Sequence, residues 1–277
     1  MNREQQPGLF LYVIGLVGLG ALAVISADFA YDWQPVPAWI PGRETLAVMC
    51  GLLMIAVGLA LLFRPTTGIA VQVLFPMLLL WQLLKVPALL VAPGIEAVWL
   101  GFGEVAALLA GGWVLFARFS SVQDTPFFRR ITGEKGLTAA RILFGLAVLP
   151  IGLGHLAYVD ITAKLVPEWL PFRVGWAYLT GLGQIACGLG VLFLICARAA
   201  ALIETSMIAL FALLVWGPTS WFSSASKAAG LPAGPRFALT AFFITWIVGA
   251  SALLVATNIP LRRRASAEGV TASGYRG

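Results

Sequence analysis

Two stretches of this sequence repeat one pattern: VPAWIPGRETLAVMCGLLMIAVGLALLF, residues 36–63, and VPEWLPFRVGWAYLTGLGQIACGLGVLF, residues 166–193. At a constant offset of 130 positions, 14 of the 28 residues are identical. Each copy has two prolines around a tryptophan, followed by an apolar run in which two glycines stand seven positions apart. Such self-similarity indicates an internal duplication, so we expect two halves with the same order of helices.

The composition indicates a membrane protein. Of the 277 residues, 60% are apolar and 11% are charged, whereas a soluble domain has roughly 45 to 50% apolar residues. The net charge of +6 comes from Lys and Arg scattered between apolar runs, which is typical of loop charges that set membrane topology. We therefore expect the lipid bilayer as the partner of this chain and no nucleic acid.

Eight apolar runs are long enough to cross a hydrocarbon core of roughly 30 Å. They are residues 8–28, 44–63, 67–86, 97–117, 138–157, 174–196, 198–217 and 237–258. The first run could be a signal peptide, but it ends without a small-residue cleavage site, and we interpret it as a helix of the mature protein. We predict an all-α, polytopic membrane protein with eight transmembrane helices built as two parallel four-helix repeats.

A polar stretch between the fourth and fifth runs divides the chain. We predict a first repeat at residues 1–117, a cytoplasmic linker at 118–136, a second repeat at 137–258 and a disordered cytoplasmic tail at 259–277. Because four is an even number, both halves enter the membrane from the same side. Twelve of the 18 basic residues fall on the side of the termini, and the positive-inside rule then places both termini in the cytoplasm.

The two copies of the repeated pattern share a loop and differ inside the following helix. Two prolines four positions apart cannot both lie in a helix interior, so we expect a turned loop that holds Trp39 and Trp169 at the membrane interface. Met54 of the first copy stands where Gln184 stands in the second. An amide roughly 15 Å into the membrane needs a partner, which is either a neighbouring helix or a ligand.

The run GLAVLPIGLGHLAYVDITAKLVPEWLPFRVGWAYLTGLGQIACGLGVLF, residues 145–193, resembles the DoxX family of small four-helix bacterial membrane proteins. In that family a histidine near the outer end of the first helix, here His155, precedes a Pro-rich loop and a Gly-rich second helix. The resemblance is clearest over residues 144–215 and weaker over 20–117, so the chain looks like a tandem duplication of that unit. Gln184 departs from the family, where related proteins often carry a carboxylate.

The resemblance implies a protein of the bacterial inner membrane and a link to quinone-dependent oxidation of sulfur compounds. His155 and Gln184 are the candidates for a catalytic role, and together with Tyr158 and Trp169 they are the candidates for binding a cofactor, which would be a quinone. Histidine titrates in a range suited to proton exchange, although a histidine at this place could equally order the Pro-Trp loop. The first repeat has no equivalent histidine, so we place the site in the second.

Four charged residues within the apolar runs are candidates for structural ion pairs, because an unpaired charge in a membrane is costly. We expect Lys85 to meet Glu104 across the short connection between the third and fourth helices, unless Lys85 extends to the interface. We expect Glu204 to reach Arg198; if Glu204 faces the bundle, it would instead form the inner end of a proton route. With three scattered cysteines and one histidine, we predict no metal site.

Several aromatic residues fall toward the outer half of the predicted spans. These are Trp81, Trp99, Trp216, Trp221 and Phe222. They are expected to form a lipid-facing belt, or else the wall of a pocket for a flat apolar ligand.

Three functions follow from these features. The absence of a nucleophile, metal or nucleotide motif favours an accessory or scaffold subunit that packs against a membrane or periplasmic protein partner. The family resemblance favours a quinone-linked redox subunit with its site at the outer side of the second repeat. The parallel repeat is also found in small-solute transporters, for which this chain has few polar groups at mid-membrane.

Overall fold

The computed structural model of the chain describes residues 6–122, 128–218, 227, 229–232 and 234–259. Within these ranges the chain forms nine α-helices and no strand, which confirms the predicted all-α class. The helices are α1 Gln6–Ser26, α2 Arg43–Ala60, α3 Arg64–Val91, α4 Glu96–Phe119, α5 Gly133–Ala157, α6 Val159–Leu165, α7 Arg173–Leu192, α8 Ala197–Phe211 and α9 Pro235–Asn258. A π-helical segment, Ala212–Trp216, continues α8.

Eight of these helices are long and apolar enough to cross a membrane, namely all except α6, with α8 extended to Trp216. The predicted runs therefore coincide with helices, although their ends differ. α3 continues through Pro87 to Val91 instead of ending at residue 86, because a helix in an apolar environment satisfies its backbone groups only by continuing. Residues 123–127 of the predicted linker and 260–277 of the predicted tail lie outside the described residues.

The helices pack in two corresponding sets. α1 packs on α2, α2 on α3 and α3 on α4; in the same order α5 packs on α7, α7 on α8 and α8 on α9. Between the sets, α4 contacts α5, α9 contacts α1, and α4 contacts α9. These contacts place α4 and α9 at the centre of the bundle, where most of their residues are buried.

Glycines set the closest helix approaches. A Cβ atom added to Gly20 would lie 2.6 Å from the carbonyl oxygen of Gly51, and one added to Gly152 would lie 2.7 Å from that of Gly181. These pairs bring α1 onto α2 and α5 onto α7, as small residues do in membrane helix pairs. At the central crossing, a Cβ added to Gly111 of α4 would overlap the side chain of Ser251 in α9.

Charged side chains join the loops at the end of the bundle where α1 ends and α2 and α9 begin. Asp28, just after α1, forms ion pairs with Arg43 at the start of α2 and with Arg236 at the start of α9. The guanidinium of Arg236 also lies over the ring of Tyr31, 4.5 Å from its centroid. The Asp28 carboxylate therefore links the ends of helices from both sets.

The tryptophans divide between the surface and the interior. Trp39 and Trp169 are 80% and 71% exposed, as expected for side chains in a membrane interface. The interpretation of a lipid-facing belt is wrong for Trp81 and Trp216, which are buried inside the bundle. Trp221 and Phe222 lie outside the described residues.

Candidate functional site

A cavity of about 360 Å³ lies between the two sets of helices. Its walls come from the six helices α4 to α9, with Trp33 from the loop after α1. Three of the four residues that the sequence suggested for ligand binding line this cavity together, namely His155, Tyr158 and Gln184. The fourth, Trp169, lines a different space described below.

His155 is oriented by a bond within its own helix. Its Nδ1 lies 2.9 Å from the carbonyl oxygen of Ile151. Because a carbonyl oxygen only accepts hydrogen bonds, Nδ1 carries the hydrogen. Nε2 has no hydrogen-bond partner in the part of the chain that the structure describes, so it is the ring nitrogen left for a ligand or a proton.

Gln184 places an unpaired amide oxygen on the same cavity wall. The residue is 2% exposed, and its Oε1 has no hydrogen-bond partner among the described residues. A buried polar atom without a partner costs about 1 to 3 kcal/mol. The interhelical hydrogen bond that the sequence left open is therefore not made by this oxygen. In the first set of helices the corresponding Met54 accepts a long hydrogen bond from Gln34 Nε2, at 3.9 Å.

Glu104 of α4 adds a carboxylate from the first half of the chain. It lines the cavity, and its Oε2 accepts a hydrogen bond of 2.6 Å from Trp33 Nε1. The sequence marked Glu104 only as half of an ion pair, although an acidic residue inside an apolar run is itself a signal of a site. Its place on the wall depends on Trp33, which lies in a short 3₁₀ turn packed against α4.

The predicted ion pair of Lys85 with Glu104 is wrong. Lys85 Nζ donates instead to the carbonyl oxygen of Asp32, at 3.0 Å, and to the carboxylate of the same residue. Asp32 precedes Trp33 in the 3₁₀ turn, so this turn provides separate partners for Lys85 and Glu104. The close approach requires Gly101, where an added Cβ would lie 2.9 Å from Lys85 Nζ.

The predicted pair of Arg198 with Glu204 is also not formed. Glu204 is fully buried, and neither of its carboxylate oxygens has a hydrogen-bond partner in the described ranges, although the Cys187 thiol lies beside it. Glu204 does not line the cavity; it lies one helical turn before Ile208, which does. The carboxyl group therefore faces the bundle beneath the cavity.

Aromatic rings form a continuous wall on one side of the cavity. Trp33 contacts Phe237 at a centroid distance of 5.9 Å, Phe237 contacts Trp216 at 6.2 Å, and Trp216 contacts Phe211 at 6.3 Å. The ring of His155 completes the series, 5.5 Å from that of Phe211. Neither Phe211 nor Phe237 was suggested by the sequence, because isolated aromatic residues in apolar runs are usually core or lipid contacts.

Tyr158 connects the cavity wall to the start of α4. Its hydroxyl oxygen accepts a hydrogen bond of 3.2 Å from the backbone N–H of Ala97. That N–H belongs to the first turn of the helix, where backbone donors lack partners within the helix. Tyr158 therefore positions the wall, and its hydroxyl hydrogen remains available to an acceptor.

A second space of about 590 Å³ lies between α7 and α8 on the outside of the bundle. Trp169, Leu179 and Leu210 are among the residues that line it. Thr162 and Phe211 belong both to this groove and to the cavity. The two spaces are thus separated at this point by one layer of side chains.

A protein-family model described as a domain of unknown function (DUF8561) matches residues 144–251 of the chain. The matched segment runs from α5 into α9 and includes His155, Tyr158 and Gln184, while Glu104 lies before it. No curated protein and no solved structure matches the chain.

Proposed function

We propose that this chain is a DoxX-like, multi-pass protein of the bacterial inner membrane that binds a quinone, or its reduced form, in the cavity. In this proposal it acts as the accessory membrane subunit of a redox system, and a membrane or periplasmic protein partner supplies the electrons. The observation that carries the proposal is the unpaired Oε1 of Gln184 on the wall of an aromatic-lined cavity.

The shape and chemistry of the cavity fit such a ligand. A quinone ring is flat and apolar with oxygen atoms on its edge, and it exchanges two electrons and two protons. Flat aromatic walls favour the ring, while Gln184 can accept a hydrogen bond from a hydroxyl through Oε1 and donate to a carbonyl through its amide nitrogen. Neutral His155 accepts through Nε2, which suits a group that takes up a proton from a hydroxyl.

The proposal includes two parallel four-helix repeats with both termini in the cytoplasm. The corresponding helix neighbours and the matching glycine pairs support the repeat. The ligand would then lie between the repeats, near the outer end of the second. A small-solute transporter has less support, because most residues on the wall are apolar or aromatic, and the polar groups among them are too few to replace the hydration of a hydrophilic substrate.

The test is a titration of the purified full-length protein in lipid nanodiscs with a tail-less benzoquinone, followed by quenching of tryptophan fluorescence. Trp33 and Trp216 line the cavity, so a bound quinone should quench them saturably. Gln184→Leu removes a buried hydrogen-bonding group and should weaken binding about tenfold or more. His155→Ala should also weaken binding.

Gln82→Leu is the matched control. Gln82 of α3 is also a buried glutamine with an unpaired Oε1, at 7% exposure, and it does not line the cavity. The Gln82→Leu variant should bind the benzoquinone with the same affinity as the unmodified protein. Quenching that does not saturate, or equal affinities for the Gln184→Leu and Gln82→Leu variants, would contradict the proposal.

A further inference from the structure

The groove between α7 and α8 differs chemically from the cavity. Leu179 and Leu210 are 59% and 57% exposed on its surface, and Trp169 lies at its outer end. Three hydroxyl side chains line it, Thr162, Thr180 and Ser206, and the last two are already satisfied within their own helices. Thr180 Oγ1 donates to the Trp176 carbonyl at 2.9 Å, and Ser206 Oγ donates to the Leu202 carbonyl at 3.0 Å.

A groove lined mainly by apolar side chains, with Thr180 and Ser206 bonded within their own helices, suits an occupant without polar groups. The cavity has the opposite property, because Gln184 Oε1 is left without a partner. The two spaces meet at Phe211 and Thr162, which line both of them. Together they match one molecule with a hydrogen-bonding head and a long hydrocarbon tail.

Phe211 lies where such a molecule would pass from one space to the other. Its ring stands against the His155 ring on the cavity side, and the residue is partly exposed on the groove side. The π-helical segment Ala212–Trp216 begins at the next residue. Segments of this kind are frequent at functional sites, and here the segment sets the position of Phe211 relative to Trp216.

A flexible side chain, Met207, lies one helical turn before Phe211 on α8. Met207 lines the groove, and its Sδ would lie 3.3 Å from a Cβ added to Gly183 of α7. Methionine has an unbranched, flexible side chain. A glycine facing a methionine leaves the contact between α7 and α8 able to admit a chain of variable shape.

We propose that the groove between α7 and α8 binds the hydrocarbon tail of the ligand whose ring occupies the cavity, and that the ligand enters from the bilayer past Phe211. The inference rests on the proposed quinone site and names its ligand class as long-tailed, membrane-dissolved quinones. Phe211 is a positioning residue in this scheme, since its ring separates the head site from the tail site.

The experiment compares two ligands in nanodiscs: a tail-less benzoquinone and the same ring carrying a decyl tail. Each dissociation constant is expressed as a ligand concentration in the bilayer. The partition coefficient of each ligand into protein-free nanodiscs gives this concentration, so that partitioning does not enter the comparison. The tailed ligand should bind at least about tenfold more tightly than the tail-less one, because burial of a few methylene groups suffices for that difference.

Leu210→Trp fills the groove and should remove most of this advantage while the tail-less ligand binds unchanged. Leu182→Trp is the matched control, because Leu182 of α7 is also 57% exposed but does not line the groove. A photoreactive group at the end of the tail provides a second measurement and should label peptides of α7 and α8. This readout does not depend on any substitution.

The outcomes separate the two proposals. In one outcome the tail-less ligand binds saturably and its affinity depends on Gln184, so the cavity site stands. If, at the same time, Leu210→Trp and Leu182→Trp give equal affinities for the tailed ligand and the label falls on other helices, the groove inference is overturned. The groove could instead bind the acyl chains of ordinary phospholipid. A phospholipid with the same photoreactive tail would then label α7 and α8 as well as the tailed quinone does, and this result would also overturn the inference. If the tail-less ligand does not bind, both proposals fall.

Discussion

Arg43 and Arg173, which stand 130 positions apart, make the same hydrogen bond. Nε of each donates to the carbonyl oxygen of the valine seven positions earlier, Val36 at 3.1 Å and Val166 at 2.9 Å. Each arginine is the first residue of its helix, so the bond closes the Pro-Trp-Pro loop onto the helix that follows it. The two arginines differ in the other interactions that they make.

Substitution of the two arginines should have unequal effects on stability. Arg173 also donates to the Lys164 carbonyl at 2.8 Å, whereas Arg43 forms an ion pair with Asp28 and lies over the ring of Phe29. Arg173→Met should lower the free energy of unfolding by about 1 kcal/mol and Arg43→Met by about 2 to 3 kcal/mol, because Arg43→Met also removes one of the two charged partners of the Asp28 carboxylate. Thermal unfolding in detergent, followed by circular dichroism, measures both; equal losses would show that the Asp28 pair contributes nothing.

Stability should fall in acid through Asp28. Burial alone would raise the pKa of Asp28, but the hydrogen bonds from Arg43 and Arg236 outweigh it and hold the pKa below its ordinary value. Because the folded pKa is lowered, the stabilisation is fully present above the unfolded pKa of roughly 3.9 and is lost as the pH falls through the folded value. Asp28→Asn should therefore lower the unfolding temperature at pH 6, and the difference from the unmodified protein should shrink toward pH 3.

Asp160→Asn is the control for this experiment, since Asp160 is exposed on α6. It should leave the unfolding temperature at pH 6 nearly unchanged. A gap between Asp28→Asn and the unmodified protein that stays constant from pH 6 to pH 3 would exclude Asp28 as the source of the acid sensitivity.

Lys85 should couple energetically to Asp32 rather than to Glu104. Its side chain is 2% exposed, whereas that of Asp32 is 74% exposed, so the ammonium group depends on this pair for its stability in the bundle. A double-mutant cycle of Lys85→Met with Asp32→Asn should give a coupling energy of about 1 kcal/mol or more. The cycle of Lys85→Met with Glu104→Gln should give a smaller value, and the reverse order would show that Lys85 and Glu104 form the true pair.

Replacement of Glu204 should stabilise the protein. The carboxyl group is fully buried and both of its oxygens lack hydrogen-bond partners in the described ranges, so it reduces stability by the cost of desolvation. Glu204→Met, which is similar in volume and apolar, should raise the free energy of unfolding by about 1 to 3 kcal/mol. A loss of stability on this substitution would mean that the carboxyl group is paired in the folded protein.

The eight helices long and apolar enough to cross a membrane could be predicted because apolar length is a property of each segment by itself. His155 and Gln184 could be chosen as site candidates for the same reason, because a polar group inside an apolar run is costly wherever the helix is placed. The helix ends were less predictable. α3 extends through Pro87 to Val91, although proline usually interrupts a helix interior.

The cavity could not be predicted, because its wall joins residues from six helices and from the loops that hold Trp33 and Leu231. Glu104 and Gln184 come from different halves of the chain, and no local pattern brings them to the same wall. The partners of Lys85 and Glu104 belong to the 3₁₀ turn Tyr31–Trp33. Packing between segments, not a local pattern, places this turn against α3 and α4.

The sequence by itself thus determined the helices and the polar residues that any account of function must explain. Only the tertiary structure decided that His155, Gln184 and Glu104 share one cavity, that Trp169 lies outside it, and that Lys85 binds Asp32. The physical reason is the range of the interactions: hydrophobic length and helix hydrogen bonds act within a segment, whereas ion pairs and cavity walls arise between segments that the chain brings together only on folding.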